Sequence, residues 1–360
     1  MARHFKESAA HAGKKSPHKK SLSQTVYTLL MVLFLGVFLF SGGMLVWNLW
    51  LQPAQNEAVN DDIRDLFSQA MTETGGSHDK LVSDTEEENA SGEEDVSGGE
   101  EAESSPEEQE DPDIRGELRR CDAVRYLAEN VNSDIVGWIT VDGTVIDYPV
   151  LQSSTENDEY YLKRNYREQY SDYGSIFLDS YCSTGGDIQV LYGHSMNDGS
   201  MFRSLVGFGD PGTVSVSPII QYDTADEASQ WLIVSVFKTN TLPSQGKVFG
   251  YIRTGFSSAE DKQEYIYQVM QRSIVNTHVG VNENDDLLVL STCSYEFDDF
   301  RTVVVARRLR PGETVPAANV SWAANTLYPD CWYEKYGGEA YPWPATFAEA
   351  REQGLIDWYR

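Results

Sequence analysis

The chain has 360 residues, with 28 basic and 56 acidic side chains, and its formal net charge is −28. This acidic balance argues against nucleic-acid binding, which needs a basic surface. The charge is concentrated, because residues 73–113 hold 17 acidic side chains and one lysine. Such a segment cannot bury enough apolar surface to fold, whereas residues 118–360 are long enough for one well-buried core.

The N-terminal segment combines a basic stretch with a long uncharged one. Residues 1–20 carry six lysines and arginines, and no charged residue then occurs until Glu57. Residues 25–51 are apolar for longer than the roughly 7–15 residues of a signal-peptide core, and about 20 such residues cross a bilayer as a helix. We therefore expect an uncleaved anchor, with residues 1–24 cytoplasmic and everything after it outside. A secretory signal with a long core is the alternative.

A helix and a tether are predicted after the anchor. Apolar residues from Val59 to Ala70 follow helical spacing, which predicts a short juxtamembrane helix and leaves open whether it binds a partner. The acidic residues that follow, to about Asp113, are expected to repel one another and form an extended, disordered linker.

The folded part is predicted to begin near Gly116 and to consist mainly of strands. Residues 136–141 and 144–150 flank Asp142-Gly143, a pattern typical of a β-hairpin. One strong helix is expected from an N-cap at Ser258 to Ile274. Further strands are expected at residues 175–178, 188–192, 213–222, 231–238, 287–290 and 302–307. Many short strands with few helices favour a closed barrel or a sandwich over an alternating parallel sheet.

Two of the six histidines, His194 and His278, lie in the predicted folded part. His194 follows the apolar run 188–192 and lies between glycines, so its imidazole is expected at a strand end, where active-site groups tend to lie. An exposed loop histidine is the alternative. His278 follows the predicted helix without a neighbouring motif and is expected to be a solvated loop side chain.

Cys293 ends another apolar run, and Arg301 opens the strand that follows. A hairpin-like unit would present both residues on one side. A cysteine nucleophile needs a nearby cation or imidazolium, and its tetrahedral intermediate needs a donor for the oxyanion. The alternative is that Cys293 is a small buried apolar residue. Because the chain has no C-x-x-C pair, a zinc site or a thioredoxin-like site is not expected, and Cys121, Cys182 and Cys331 can form at most one disulfide.

The motifs around these residues resemble those of class B sortases. The stretch Tyr192–Phe202, Tyr-Gly-His-x-Met-x-x-Gly-x-Met-Phe, is similar to their histidine motif, and Leu290–Phe297 with Arg301 is similar to their cysteine–arginine motif. The helix before the cysteine strand separates class B from other sortases. Other similar segments are Gly137–Ile139, Gly143–Thr144, Ile146–Val150 and Gly174–Asp179. The resemblance covers about Leu118–Arg310; Ser195 stands where the family usually has Asn.

The resemblance implies a mainly β fold with peripheral helices: an eight-stranded sortase β-barrel, preceded by one transmembrane helix and a disordered acidic linker. The expected segments are a cytoplasmic basic tail (1–24), a transmembrane signal-anchor (25–51), a juxtamembrane helix with the linker (52–116), the catalytic domain (117–310) and a C-terminal extension (311–360). The extension holds half of the chain's eight Trp residues. We expect it to dock on the barrel, either as structural cover or as a wall of the substrate groove or a partner surface.

The resemblance also implies a cysteine transpeptidase on the outer face of a Gram-positive-type cell membrane. Such an enzyme cleaves a C-terminal sorting signal of secreted proteins. It joins the new C-terminus to a cell-wall peptide amine or to a pilin-type Lys of another surface protein. Cys293 would be the nucleophile, His194 the general acid and base, and Arg301 the group that holds the signal and the oxyanion. Candidates for the substrate groove are Ser291, Thr292, Ser294 and Glu296. No metal or organic cofactor is implied.

Two other classes of protein stay open at this point. An L,D-transpeptidase is also an extracytoplasmic Cys–His enzyme, but its motif has Gly before the nucleophile, where this chain has Thr292. A membrane-tethered scaffold domain without activity would leave Cys293 unreactive.

Overall fold

The computed structural model describes residues 21–88, 112–315 and 319–360. Most of the predicted cytoplasmic tail, and residues 89–111 of the predicted linker, therefore lie outside the described residues. The chain divides into two compact units, one up to Gln55 and one from Asn56 onward.

The first unit contains helix α1 (Ser21–Val46) and a π-helical turn (Trp47–Leu51). The described side chains of α1 are exposed, and most of them are apolar. A helical stretch that begins at Val26 is long and apolar enough to cross a membrane, by length and composition.

The strands of the second unit form a closed barrel and a small separate sheet. They are β1 (Ile135–Thr140), β2 (Asp147–Leu151), β3 (Ile176–Leu178), β4 (Ile188–Tyr192), β5 (Ile219–Thr224), β6 (Ala228–Thr239), β7 (Val275–Asn276), β8 (Leu287–Ser294), β9 (Phe300–Arg308) and β10 (Ser321–Trp322). The barrel order is β1-β2-β3-β4-β8-β9-β6-β5, and β7 pairs with β10. The predicted eight-stranded barrel with peripheral helices is confirmed.

Two neighbouring strands of the barrel, β8 and β9, are buried on both faces over most of their length. Every residue of β8 from Leu287 to Leu290 is at most 1% exposed, and β9 is buried from Thr302 to Arg307. Their continuous apolar sequences follow from this burial, since neither face meets water.

One predicted strand is partly wrong. Residues 211–216 form helix α4 (Pro211–Val216), and strand structure begins only at Ile219. The side chain of Asp210 caps the helix by accepting a hydrogen bond from the Gly212 N–H at 2.8 Å. Pro211 occupies the first helical position, where its missing N–H costs nothing. Local capping therefore overrides the β-propensity of the valines in this segment.

The remaining helices are α2 (Gln52–Glu88), α3 (Pro112–Asn130), α5 (Ala259–Arg272), α6 (Asp330–Tyr336) and α7 (Phe347–Glu352). Helix α5 begins at the predicted cap, because the Ser258 hydroxyl accepts a hydrogen bond from the Asp261 N–H at 3.2 Å. Helix α2 is much longer than the short helix expected, and it includes residues 73–88 of the predicted linker. Glu is a good helix former, so a high charge does not prevent a helix.

The apolar side of α2 is buried within the second unit. Ile63, Phe67 and Ala70 are at most 6% exposed and form a core cluster with residues of α3 and β1. The ring of Phe67 stacks on Trp138 of β1, with centroids 4.2 Å apart. The residues that gave α2 its helical spacing therefore cover one side of the barrel.

The C-terminal extension has helices α6 and α7 packed against the rest of the unit. Phe347 of α7 is buried and contacts the ring of Tyr267 on α5. The Thr346 hydroxyl accepts a hydrogen bond from the Glu349 N–H at 3.3 Å, and the Glu349 carboxylate accepts one from the Ala345 N–H at 3.0 Å. Glu349 therefore completes a reciprocal cap at the start of α7.

Candidate active site

Strand pairing brings His194 next to Cys293. Strands β4 and β8 are parallel neighbours, and their last paired residues are Tyr192 and Ser291. The pairing continues into the next residues, because the Gly193 N–H donates to the Ser291 carbonyl at 3.3 Å and the Thr292 hydroxyl donates to the Gly193 carbonyl at 2.8 Å. His194 and Cys293 therefore occupy equivalent positions just beyond this pair.

The antiparallel pair of β8 and β9 brings Arg301 to the same place. Cys293 and Arg301 are direct cross-strand partners, and the pairing ends one residue later at Ser294 and Phe300. Side chains of directly opposite residues lie on the same face of a sheet. The sequence-based expectation that this hairpin presents both groups on one side agrees with the register.

Close packing fixes the backbone at the start of the His194 loop. A Cβ atom on Gly193 would lie 2.5 Å from Ile176 Cδ1 and 2.7 Å from Phe202 Cγ, so only glycine fits at this position. The Phe202 N–H donates to the His194 carbonyl at 2.8 Å and closes the loop. The imidazole thus extends from a backbone that is held on both sides.

A carbonyl group orients the His194 ring. Nε2 lies 2.8 Å from the Leu162 carbonyl oxygen. Because a carbonyl only accepts hydrogen bonds, Nε2 carries a hydrogen and Nδ1 is the basic nitrogen of the neutral ring. Burial lowers the pKa of His194 below its usual 6.5, more than the Leu162 carbonyl raises it. The ring is therefore mainly neutral at pH 7 and can accept a proton.

The three predicted catalytic side chains line one cavity of about 450 Å³. Its lining consists of Asp158, Glu159, Leu162, Phe177, Asp179, Ser180, Tyr192, Gly193, His194, Thr241, Tyr251, Ile252, Ser291, Thr292, Cys293 and Arg301. Residues from five separate segments of the chain, within 158–162, 177–180, 192–194, 241–252 and 291–301, therefore meet at this cavity. The thiol is half-buried, unlike the other three cysteines, which are buried.

Two of the four predicted groove residues lie in this cavity and two do not. Ser291 and Thr292 belong to its lining, and the Ser291 hydroxyl bonds the Tyr251 hydroxyl at 2.8 Å. Ser294 and Glu296 are outside the lining and are hydrogen-bonded to Lys238. Glu296 forms an ion pair with Lys238 of β6, and the Ser294 hydroxyl accepts a hydrogen bond from the same ammonium. These two predicted groove residues therefore do not line the cavity.

Several lining residues carry no signal in the sequence. Tyr251 and Thr241 come from the long connection after β6, and Asp158 and Glu159 precede a short 3₁₀ helix, Tyr160–Lys163. Neither connection has a periodic pattern, and their proximity to Cys293 depends on long-range packing. The sequence Tyr160-Tyr161-Leu162 was the one signal in the connection that holds Asp158 and Glu159, because such an aromatic cluster indicates a packed segment.

The cavity lining is acidic. It contains three carboxylates, those of Asp158, Glu159 and Asp179, and the one guanidinium of Arg301. The Asp179 carboxylate accepts a hydrogen bond from the Tyr192 hydroxyl at 2.8 Å. Within the described ranges, no group of three or more His, Cys, Asp or Glu side chains is arranged to hold a metal ion.

The other candidate residues lie apart from this cavity. His278 is exposed, has a left-handed φ of 56°, and is outside the lining. Cys121, Cys182 and Cys331 are buried and free, and burial raises the pKa of the Cys121 and Cys182 thiols to about 11. Of the described cysteines, only Cys293 combines access with a neighbouring imidazole and guanidinium.

Comparison with known proteins identifies the family of the chain. A family model described as Sortase domain matches residues 139–309. Sortase B of Listeria monocytogenes is 30% identical over 272 residues, which cover 75% of this chain and 90% of that protein. Sortase B of Staphylococcus aureus is 33% identical over 186 residues, covering 51% of this chain and 73% of that protein. The structure of a Staphylococcus aureus sortase B–substrate complex is similar, with a TM-score of 0.54, 26% identity, and coverage of 72% of this chain and 99% of that one.

A closed eight-stranded barrel with a Cys, a His and an Arg around one cavity defines a sortase-type fold and site. Together with these relatives, it shows that the chain belongs to the sortase family of transpeptidases, and within it to class B.

Proposed function

We propose that this chain is a membrane-anchored extracellular cysteine transpeptidase in which Cys293, His194 and Arg301 carry the reaction. It would cleave the C-terminal sorting signal of secreted proteins and transfer the new C-terminus to an amine. The observation that carries the proposal is the convergence of these three side chains on one cavity, at the ends of β4, β8 and β9.

The first half of the reaction forms a thioester. The Cys293 thiol transfers its proton to Nδ1 of His194, and the sulfur attacks the carbonyl carbon of the scissile peptide bond. The Arg301 guanidinium donates hydrogen bonds to the resulting oxyanion. The intermediate then collapses: the C–N bond breaks, His194 donates its proton to the leaving amine, and the acyl group stays on Cys293.

The second half transfers the acyl group. A neutral acceptor amine attacks the thioester carbon and loses a proton to His194, and the C–S bond breaks as the new amide forms. His194 then returns the proton to the Cys293 sulfur. The lowered pKa of His194 suits this step, since a neutral imidazole is available at pH 7 to accept the proton.

The charge of the cavity supports an amine as the acceptor. Amines are mostly protonated in water at neutral pH, and three carboxylates line the cavity against one guanidinium. An acidic cleft raises the local concentration of the protonated amine, which must release its proton to solvent before it attacks the thioester. A cell-wall peptide amine and a pilin-type Lys both satisfy this requirement.

The N-terminal sequence supports the location. A basic stretch precedes an apolar helix of sufficient length, and this order is typical of an anchor with a cytoplasmic N-terminus and an extracellular catalytic domain. The half-buried Cys293 thiol at a cavity differs from the buried, unreactive cysteine that a scaffold domain would have.

The test is cleavage of a library of sorting-signal peptides by the full chain in detergent micelles. We expect one group of related peptides to be cut, with a covalent acyl-enzyme that mass spectrometry maps to Cys293. The Cys293→Ala variant should lose cleavage and transfer while it stays folded, because removing one small group costs roughly 1 kcal/mol. Cys182→Ala is the matched control and should remain active. Turnover by a folded Cys293→Ala protein would refute the proposal.

A further inference from the structure

The β8–β9 turn, which we define as residues 294–300, carries the proposed catalytic pair at its base. Cys293 and Arg301 are the cross-strand partners next to it, and Ser294 pairs with Phe300 one residue further on. Asp299 in this turn has a left-handed φ of 52°, a conformation that Asp adopts more readily than most residues other than glycine. The contacts of this turn with neighbouring segments bear on the geometry of the pair at its base.

Helix α6 of the C-terminal extension packs on the side of this turn. The Trp332 ring lies 6.4 Å from the Phe300 ring at an interplanar angle of 18°, and 6.3 Å from the Phe297 ring. Tyr336 contacts Phe297 at 6.2 Å. The Lys335 ammonium donates a hydrogen bond to the Glu296 carbonyl at 2.9 Å. Aromatic packing and one charge-assisted bond therefore join α6 to the turn.

A short path connects Trp332 to the guanidinium. Phe300 is fully buried, and its carbonyl accepts a hydrogen bond from Nη1 of Arg301 at 3.1 Å. Trp332 thus packs on the residue whose backbone orients Arg301. The ring of Tyr328 stacks on the Trp332 ring, with the two centroids 4.2 Å apart. The packing fixes the Trp332 ring in turn.

The same helix also meets the connection that supplies Thr241, Tyr251 and Ile252 to the cavity. A Cβ atom on Gly246 would lie 2.8 Å from the Asp330 nitrogen, so the two backbones are in close contact. The Thr241 hydroxyl donates to the Asp299 carbonyl at 2.7 Å. The start of α6, this connection and the β8–β9 turn therefore form one packed group beside Arg301.

We propose that Trp332 is a positioning residue for the transpeptidase reaction: through α6 it fixes the β8–β9 turn and, with it, the orientation of the Arg301 guanidinium. The inference rests on the proposed role of Arg301. It gives the C-terminal extension a part in catalysis although none of its residues lines the cavity.

Trp343 offers a matched control within the same extension. It is also half-buried, but it contacts Tyr267 of α5 at 6.3 Å and donates from Nε1 to the Asn325 carbonyl. Its ring and hydrogen-bond partners, Tyr267, Tyr341 and Asn325, all lie outside the β8–β9 turn and outside the connection after β6. Trp332→Ala and Trp343→Ala therefore remove the same side chain from two anchoring points of one extension.

The first measurement is hydrogen–deuterium exchange of the full chain in detergent micelles, which does not depend on activity. We expect faster exchange of residues 294–301 in Trp332→Ala and unchanged exchange there in Trp343→Ala. Lys335→Met removes the bond to Glu296 and the cation–π contacts with Phe297 and Tyr336 but keeps Trp332, so it should give a smaller change in the same segment. Trp332→Phe should restore protection. Unchanged exchange of residues 294–301 in a folded Trp332→Ala protein would overturn the proposal.

The second measurement is a double-mutant cycle on peptide cleavage. Trp332→Ala should lower kcat/KM by roughly tenfold to a hundredfold, mainly through kcat, because misplacing an oxyanion donor weakens transition-state stabilisation. The loss should disappear when Arg301 is already replaced by Ala, since the effect passes through that residue. Equal losses in Trp332→Ala and Trp343→Ala, or a full additional loss on the Arg301→Ala background, would contradict the inference. If the wild-type chain cleaves no peptide, the proposed function fails, and the exchange data alone decide whether α6 supports the turn.

Discussion

His194 and His278 are the two histidines between residue 117 and the C-terminus, and their surroundings differ. His194 lines the cavity with Cys293 and is hydrogen-bonded through Nε2, whereas His278 is an exposed loop residue. We expect His194→Ala to lower the rate of peptide cleavage by ~10²–10⁴, the usual contribution of general acid–base catalysis. His278→Ala should leave it unchanged. Equal losses in the two variants would contradict the assignment.

The proposed role of Arg301 requires the geometry of its hydrogen-bond donors as well as its positive charge. An arginine presents a planar set of donors, while a lysine presents one point charge. We therefore expect Arg301→Lys to lower kcat/KM nearly as much as Arg301→Ala. If Arg301 only formed a surface ion pair with Asp298 or Asp299, worth under about 1 kcal/mol, the Lys variant would keep near wild-type activity. Steady-state peptide cleavage by both variants separates these outcomes.

The sequence predicted that the three proposed catalytic residues lie together, but it predicted their neighbours less well. His194, Cys293 and Arg301 lie in motifs with fixed spacing, and strand pairing brings them to one cavity. Ser294 and Glu296 belong to the same motif but bond Lys238 of β6 instead of lining the cavity. The motif alone did not indicate which of its residues line the cavity.

Helix α2 shows what helical spacing can and cannot predict. The periodic apolar residues from Val59 to Ala70 indicated a helix, but not its length or its packing partner. Phe67 contacts Trp138, which is 71 positions later in the chain, and the spacing of one segment contains no information about such a contact. The α4 segment shows the converse: its β-branched residues predict a strand, but in the structure the cap at Asp210 and the proline that follows it begin a helix.

The stacked pair of Phe67 and Trp138 leads to a stability prediction. Phe67 is 6% exposed and lies with its ring parallel to the indole. We expect Phe67→Ala to lower the free energy of unfolding of the barrel unit by about 3–5 kcal/mol, the usual cost of truncating a buried aromatic residue. Gln69→Ala, at an exposed position of the same helix, should change it by less than about 0.5 kcal/mol. Denaturant unfolding of both variants measures the difference, and similar values would show that α2 does not stabilise the barrel.

The compact unit that contains the barrel begins before the predicted boundary of the catalytic domain. The sequence-based boundary at residue 117 follows the start of the family resemblance. The compact second unit, however, starts at Asn56, and its core cluster includes Ile63, Phe67 and Ala70. The lining of the cavity contains no described residue of α2. The family resemblance marks the segment that contains the proposed catalytic residues, whereas the pattern of burial marks the larger segment that packs as one unit.

A comparison of three chains tests this boundary: the full chain, a chain that begins at Asn56 and a chain that begins at Gly116. Removing residues before Gly116 exposes the surface that Ile63, Phe67 and Ala70 cover, and burial of a large apolar side chain contributes about 1.5–3 kcal/mol. We expect the shortest chain to have a clearly lower Tm, while the chain from Asn56 keeps the Tm of the barrel unit in the full chain. Well below its Tm, the shortest chain should retain kcat/KM for a short peptide, since every residue of the cavity lining is present. Equal melting temperatures for the two shortened chains would mean that α2 belongs to the linker after all, and the boundary at residue 117 would stand.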